Sequence, residues 1–208
     1  MISIRQLTFA YAEGLDGFVL GPINLELEPG RAYGWQGHNG SGKSTLASIL
    51  AAHRSARSGA VVGLPPRILY FQQHMTANIF SDLKVGEHLA LCADPIRREE
   101  ILALFPLLRE HADKFPDALS GGQVQRLAFS LALIRDFDLY IFDEVTNHLD
   151  QDTVALVGRT IRSVLKRQPS ATVIFISHDP VFLREYTDVV CSFNEGKVSI
   201  LQSELQSS

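Results

Sequence analysis

The sequence is poor in cysteine: Cys92 and Cys191 are its two thiols, they lie far apart, and they form no C-x-x-C pair. This pattern points to two buried, reduced thiols in a reducing compartment, neither of them catalytic. Bulk positive charge is missing too, since 19 Lys and Arg against 23 Asp and Glu give a formal net charge of -4. Nucleic-acid binding therefore draws no support from a global cationic field and would need a local basic face. No apolar run reaches the roughly 18 residues of a membrane-crossing helix. Arg5 interrupts the first apolar residues and no hydrophobic region follows, so no signal peptide is expected. Internal repeats and low-complexity segments are lacking. What is there is a chain of 208 residues, 46% hydrophobic and 20% charged, ordinary for one globular unit with a sizeable core.

The chain is organised around Gly37-His38-Asn39-Gly40-Ser41-Gly42-Lys43-Ser44-Thr45, a G-x-x-x-x-G-K-S pattern. A nucleoside triphosphate demands close backbone N–H donors, one mobile cation and a hydroxyl for Mg²⁺. Gly37, Gly40 and Gly42 carry no Cβ and let the loop wrap its amides round the β-phosphate. Asn39, Ser41 and Thr45 belong to the same nucleotide-binding loop. Lys43 would bridge the β- and γ-phosphates, and Ser44 would ligate Mg²⁺. Ala32-Tyr33-Gly34-Trp35 precedes the loop as a short buried strand, and an amphipathic run through Leu46, Ile49 and Leu50 follows it. That strand, loop, helix order separates the pattern from an ordinary glycine-rich turn.

Residues 2–4 and 7–9 alternate like edge strands, Gly14, Gly17 and Gly21-Pro22 mark a turn, and residues 23–28 form a period-two strand, suggesting a small antiparallel sheet. Short strands follow at 60–62 and 68–71, the latter closed by Gln72. From 75 to about 119 the periodicity is helical, with Val85, Leu89 and Cys92 on one face and Ile101, Leu102, Phe105 and Leu108 on another. Asp94-Pro95 and Phe115-Pro116 break it, and Arg97-Arg98-Glu99-Glu100 reads as a solvated helix start. Residues 139–142 and 172–176 are apolar throughout, as strands buried on both faces are, with a helix at 152–167 between them. A short helix at 180–185 and closing strands at 189–193 and 198–201 complete an α/β fold with a mostly parallel sheet. One domain over 1–208 is expected, with a core from 1–74 and 137–208 and a helical subdomain over about 75–136.

Asp143 and Glu144 end the first buried strand, where an α/β sheet presents its ligand groups. Asp143 would hold Mg²⁺, and Glu144 would polarise the water attacking the γ-phosphate. Taken alone, such a pair also fits solvated strand caps. His178, in Ser177-His178-Asp179, closes the second buried strand beside them and could donate to the γ-phosphate. Tyr11 reads as an aromatic that stacks on a base or as a core aromatic. Ser120-Gly121-Gly122-Gln123 starts a helix with a hydroxyl and free amides facing outward, a second anion site. Two phosphate-binding ends in one chain suggest a head-to-tail pair, each copy's Ser120 and Gly122 sealing the nucleotide on the other's phosphate loop.

Residues 37–45, Gln72, the segment 119–126, the run Tyr140-Ile141-Phe142-Asp143-Glu144, Thr146-Asn147-His148-Leu149-Asp150 and His178 together resemble the ATP-binding cassette (ABC) ATPases, in order and across nearly the whole chain. The resemblance implies a P-loop NTPase core with a small N-terminal antiparallel β subdomain and an inserted helical subdomain. It also implies ATP and Mg²⁺ as ligands, Tyr11 as the adenine-stacking aromatic, and Gln72 as the sensor of γ-phosphate and Mg²⁺. Asp150 becomes the contact coupling the two sites of a dimer. The segment 59–72 is shorter than the family usually has, and Val145, Phe137 and Leu131 depart from its pattern without removing a ligand. The expected function is the ATP-hydrolysing subunit of a transporter, with a second copy or related cassette and integral membrane subunits as partners, peripheral on the cytoplasmic face and with no direct nucleic acid. The alternative is a soluble cassette acting on the ribosome or nucleic acid, prompted by residues 146–150. Residues 75–80 suggest a docking groove for a membrane subunit, or hinge packing.

Overall fold

The structure, a computed structural model, describes residues 1–10, 18–72, 79–92, 94–145 and 151–201. It divides into two compact units, Met1–Gln72 with Phe137–Ser208, and Gln73–Asp136.

The first unit opens with β1 (Ile2–Ala10), β2 (Val19–Leu27) and β3 (Ala32–Gln36), followed by α1 (Lys43–Leu50), β4 (Ser58–Val62) and β5 (Ile68–Gln72). The second unit contributes α2 (Val85–Ala90), α3 (Pro95–Leu104), α4 (Pro106–Glu110) and α5 (Gly121–Ala132). The chain then returns to the first unit with β6 (Leu139–Asp143), α6 (Gln151–Arg167), β7 (Thr172–Ile176), α7 (Pro180–Tyr186), β8 (Val189–Asn194) and β9 (Lys197–Leu201).

Six strands form one sheet in the order β5-β6-β7-β3-β8-β9, parallel except at the β8–β9 pair. Every residue of β6 and β7 is buried, which explains their unbroken apolar character. Successive residues face opposite sides of the sheet. Ile141 and Ile174 join Trp35, Leu46 and Leu50 in the core on one side. On the other, the rings of Phe142 and Phe175 lie 5.4 Å apart and those of Phe175 and Phe182 5.1 Å apart.

A separate three-stranded sheet runs in the order β2-β1-β4. Here two expectations are corrected. Residues 2–4 and 7–9 are one strand, and it is the central one; a register shift between Ile4 and Leu7, with Gln6 at φ 48°, resets the alternation and makes one strand read as two. Gly21-Pro22 lies inside β2, not in a turn, because β2 is an edge strand that tolerates a residue without an N–H. At Gly21, φ is 100° and a side chain would run into the Leu7 carbonyl. With a single strand, β4, supplied between α1 and β5, the short 59–72 segment leaves this sheet at three strands.

In the second unit Asp94 caps α3, its carboxylate accepting from the amides of Ile96 and Arg97, with Pro95 at the first helical position. Pro106 adds a break that the helical periodicity hides, holding Phe105 at φ -125° and ψ 65° between α3 and α4. Arg97 is a further correction to the solvated reading of residues 97–100. It is buried, donating from Nε to the Leu133 carbonyl at 2.7 Å and from a guanidinium nitrogen to Asp136. That pairing ties α3 to the C-terminal end of α5. Buried His88 accepts from the Phe80 amide through Nε2 at 2.9 Å while Nδ1 contacts the Lys84 carbonyl at 2.9 Å.

Candidate functional site

Four neighbouring parallel strands, β5, β6, β7 and β3, end along one edge of the sheet and deliver Gln72, Asp143-Glu144, the Ser177-His178 turn and the phosphate loop in turn. Register explains the grouping: Gln72 pairs with Asp143 and Asp143 with Ile176. The phosphate loop follows β3, and its glycines take left-handed or near-extended angles, φ 151° at Gly37, 80° at Gly40 and 104° at Gly42. A side chain at Gly42 would meet Leu20, and one at Gly37 the Phe193 carbonyl and the Ser41 hydroxyl. Gly42 starts α1 with no side chain capping the first amides. His38, Asn39, Gly40 and Ser44 are exposed, whereas Ser41, Lys43 and Thr45 are buried.

Lys43 is 4% exposed, and its ammonium donates to the Gly37 carbonyl at 2.7 Å, the His38 carbonyl at 3.0 Å and the Ser41 hydroxyl at 3.4 Å. Desolvation lowers its pKa, while the charges of Glu144 and Asp143 oppose that shift. Ser44 Oγ donates to Asp143 Oδ1 at 3.2 Å, and the Tyr70 hydroxyl donates to Oδ2 at 2.8 Å. Burial raises the Asp143 carboxyl, and these two hydrogen bonds pull it back. Glu144 adopts φ 56°, an uncommon conformation for a non-glycine residue and one that concentrates at functional sites. Its Oε1 lies 3.1 Å from His178 Nε2. An ionised carboxylate can only accept, so Nε2 carries the proton in that pair.

Ser44 and Asp143 fit a hard divalent cation by donor chemistry, a hydroxyl and a carboxylate oxygen side by side. Among the described residues no cluster of three or more His, Cys, Asp or Glu stands ready for a metal. A Mg²⁺ here would therefore draw most of its ligands from water and phosphate, as that ion does in nucleotide sites.

Ser120, Gly121, Gly122 and Gln123 lie in the second unit. The Ser120 hydroxyl belongs to an exposed residue and is engaged at the helix start. It accepts from the Gln123 amide at 3.4 Å while Gln123 Oε1 accepts from the Ser120 amide at 2.9 Å, a closed capping box. Among the described residues, an added Cβ at Gly121 or Gly122 meets nothing within 4 Å. Tyr11, Asp150, the 146–150 motif and residues 75–78 of the suggested groove fall outside the described residues. Tyr70 escapes the sequence reading. Its signal is a hydroxyl in an otherwise apolar buried strand, two residues before Gln72 and hence on the same face.

The family profile described as ABC transporter matches residues 20–147, from the second strand through the Asp143-Glu144 strand end. The chain belongs to that family. The methionine import ATP-binding protein MetN of Bordetella pertussis is 32% identical over 98% of this chain and 62% of that protein. MetN of Xanthomonas euvesicatoria pv. vesicatoria is 30% identical over 95% and 65%. The chain thus spans somewhat under two thirds of these ABC relatives. Among solved structures, a dimeric ATP-binding cassette in a post-hydrolysis state bound to ADP and Pi shares the fold, with TM-score 0.79 and 23% identity over 98% of this chain and 99% of that one.

Proposed function

We propose that this ABC chain binds ATP with Mg²⁺, hydrolyses it in a head-to-tail pair of cassettes, and thereby powers solute movement by partner membrane subunits on whose cytoplasmic face it sits. The observation that carries this reading is the convergence of the phosphate loop, Asp143, Glu144 and His178 on adjacent strand ends. In this reading Lys43 exchanges the Gly37 and His38 carbonyls for β- and γ-phosphate oxygens, so its buried charge is re-paired and not created on binding. Ser44 and Asp143 would hold Mg²⁺, with Gln72 beside them, and the bound ion would supply positive charge against the phosphates. Glu144 orients the attacking water and accepts its proton. His178 fixes the Glu144 carboxylate and then donates to the γ-phosphate. Tyr11 stacks on adenine, and Asp150 couples the paired sites.

Ser120, Gly121, Gly122 and Gln123 reach the γ-phosphate of the opposite copy. Two glycines at a helix start weaken the helix, and the room around them serves no contact among the described residues, which suits a closely approaching ligand. The names of the MetN relatives support import over export. Among the described residues no helix is long and apolar enough to cross a membrane.

Steady-state hydrolysis by Glu144→Gln tests the core of the proposal. A fall of about 100-fold or more with nucleotide binding retained is expected; undiminished turnover refutes the assignment. Affinity capture from solubilised membranes tests the transport part, with integral membrane subunits expected and ribosomal proteins alone as the refuting result.

A further inference from the structure

Tyr70 has no place in the chemistry above, yet it touches the carboxylate on which that chemistry turns. It is 7% exposed and its ring centroid lies 5.6 Å from that of His53. In the β5–β6 register Tyr70 pairs with Ile141, so Asp143 sits one same-face position further along, roughly 7 Å away. A serine or threonine at 70 would fall short of it, and a phenylalanine would reach it without a polar tip. The phenol spans the gap and donates to Asp143 Oδ2 at 2.8 Å, while Ser44 takes the other oxygen, Oδ1, at 3.2 Å. The two hydroxyls differ in setting: Ser44 is exposed on the phosphate loop, and Tyr70 belongs to the buried core cluster. Only Oδ1 is therefore paired with a group that ligand entry can rearrange.

We propose that Tyr70 is a positioning residue, which fixes the plane of the Asp143 carboxylate and occupies Oδ2 so that Oδ1 alone is presented to the metal of a bound nucleotide. The inference rests on Asp143 and Ser44 holding Mg²⁺. Residues that orient a metal-ligating carboxylate set metal affinity without touching the metal.

Tyr70→Phe removes one oxygen and keeps the ring, so the packing against His53 persists. The experiment titrates MgCl₂ into purified protein with a fluorescent ATP analogue, and repeats the nucleotide titration in EDTA. For Tyr70→Phe, the Mg²⁺ concentration at half-saturation rises about tenfold while affinity in EDTA equals wild type. A Mg²⁺ requirement identical to wild type overturns the role of Tyr70 and leaves the functional reading intact. Equal weakening with and without metal also overturns it, since that marks a general loss of packing. Wild-type protein whose nucleotide binding ignores Mg²⁺ overturns both.

Discussion

Lys43 carries a full charge into a site that leaves it 4% exposed, and the loop answers with carbonyls and a hydroxyl. A cation held this way by neutral acceptors is poised for an anion. Lys43→Ala is expected to weaken nucleotide binding by at least about tenfold, the scale of one lost charge-assisted contact, while the fold persists; calorimetry with ATP checks it. The thiols behave oppositely. Cys191 is fully buried, and burial pushes its pKa up to about 12; Cys92 is buried with its Sγ on the Asp94 carbonyl. Neither is expected to react with a thiol reagent at mildly alkaline pH in the native state, and both should titrate in denaturant. The reactive groups of the phosphate loop were legible because glycine, lysine and serine at fixed spacing have one good use. Tyr70 was not, because its hydroxyl finds Asp143 73 positions away.

Elements were legible where periodicity is pure. β6 and β7 read as doubly buried strands and are so, whereas β1 was split by its bulge at Gln6. Gly158 shows how packing overrides propensity: it lies inside α6, where alanine would ordinarily add about 1 kcal/mol, but a Cβ there would run into the Tyr186 ring of α7. Gly158→Ala is expected to destabilise the protein by a net ~1–2 kcal/mol by overpacking, read from urea unfolding. At the starts of β5 and β6, Arg67 donates twice to Asp138 and holds its carboxyl below the usual range. A lowered folded value means the contribution is present above the ordinary carboxylate range and is lost as pH falls through the lowered value. Asp138→Asn should cost up to about 1 kcal/mol at neutral pH, Arg67 being exposed, with the difference from wild type fading as pH falls through the lowered carboxyl value. Unfolding curves across pH decide it.

For the whole molecule, the proposed pairing of cassettes rests on Gly121 and Gly122, exposed and, among the described residues, with nothing within 4 Å of an added Cβ. Gly122→Ala is expected to leave the unfolding midpoint unchanged or slightly raised, because alanine favours helix, and to abolish ATP-dependent association in a Glu144→Gln background. Light scattering with and without ATP checks both halves, and a dimer unaffected by the substitution would remove this helix start from the interface. The sequence by itself determined the phosphate loop, the strand-end carboxylates, the α/β alternation and the family, because each depends on residue types at short, fixed spacing. Only the tertiary structure decided that β1 is a central strand, that Arg97 is buried against Leu133 and Asp136, and that Tyr70 and Ser44 divide the two oxygens of Asp143. Strand order and register bring together residues from distant parts of the chain, and no local pattern encodes which distant groups will meet.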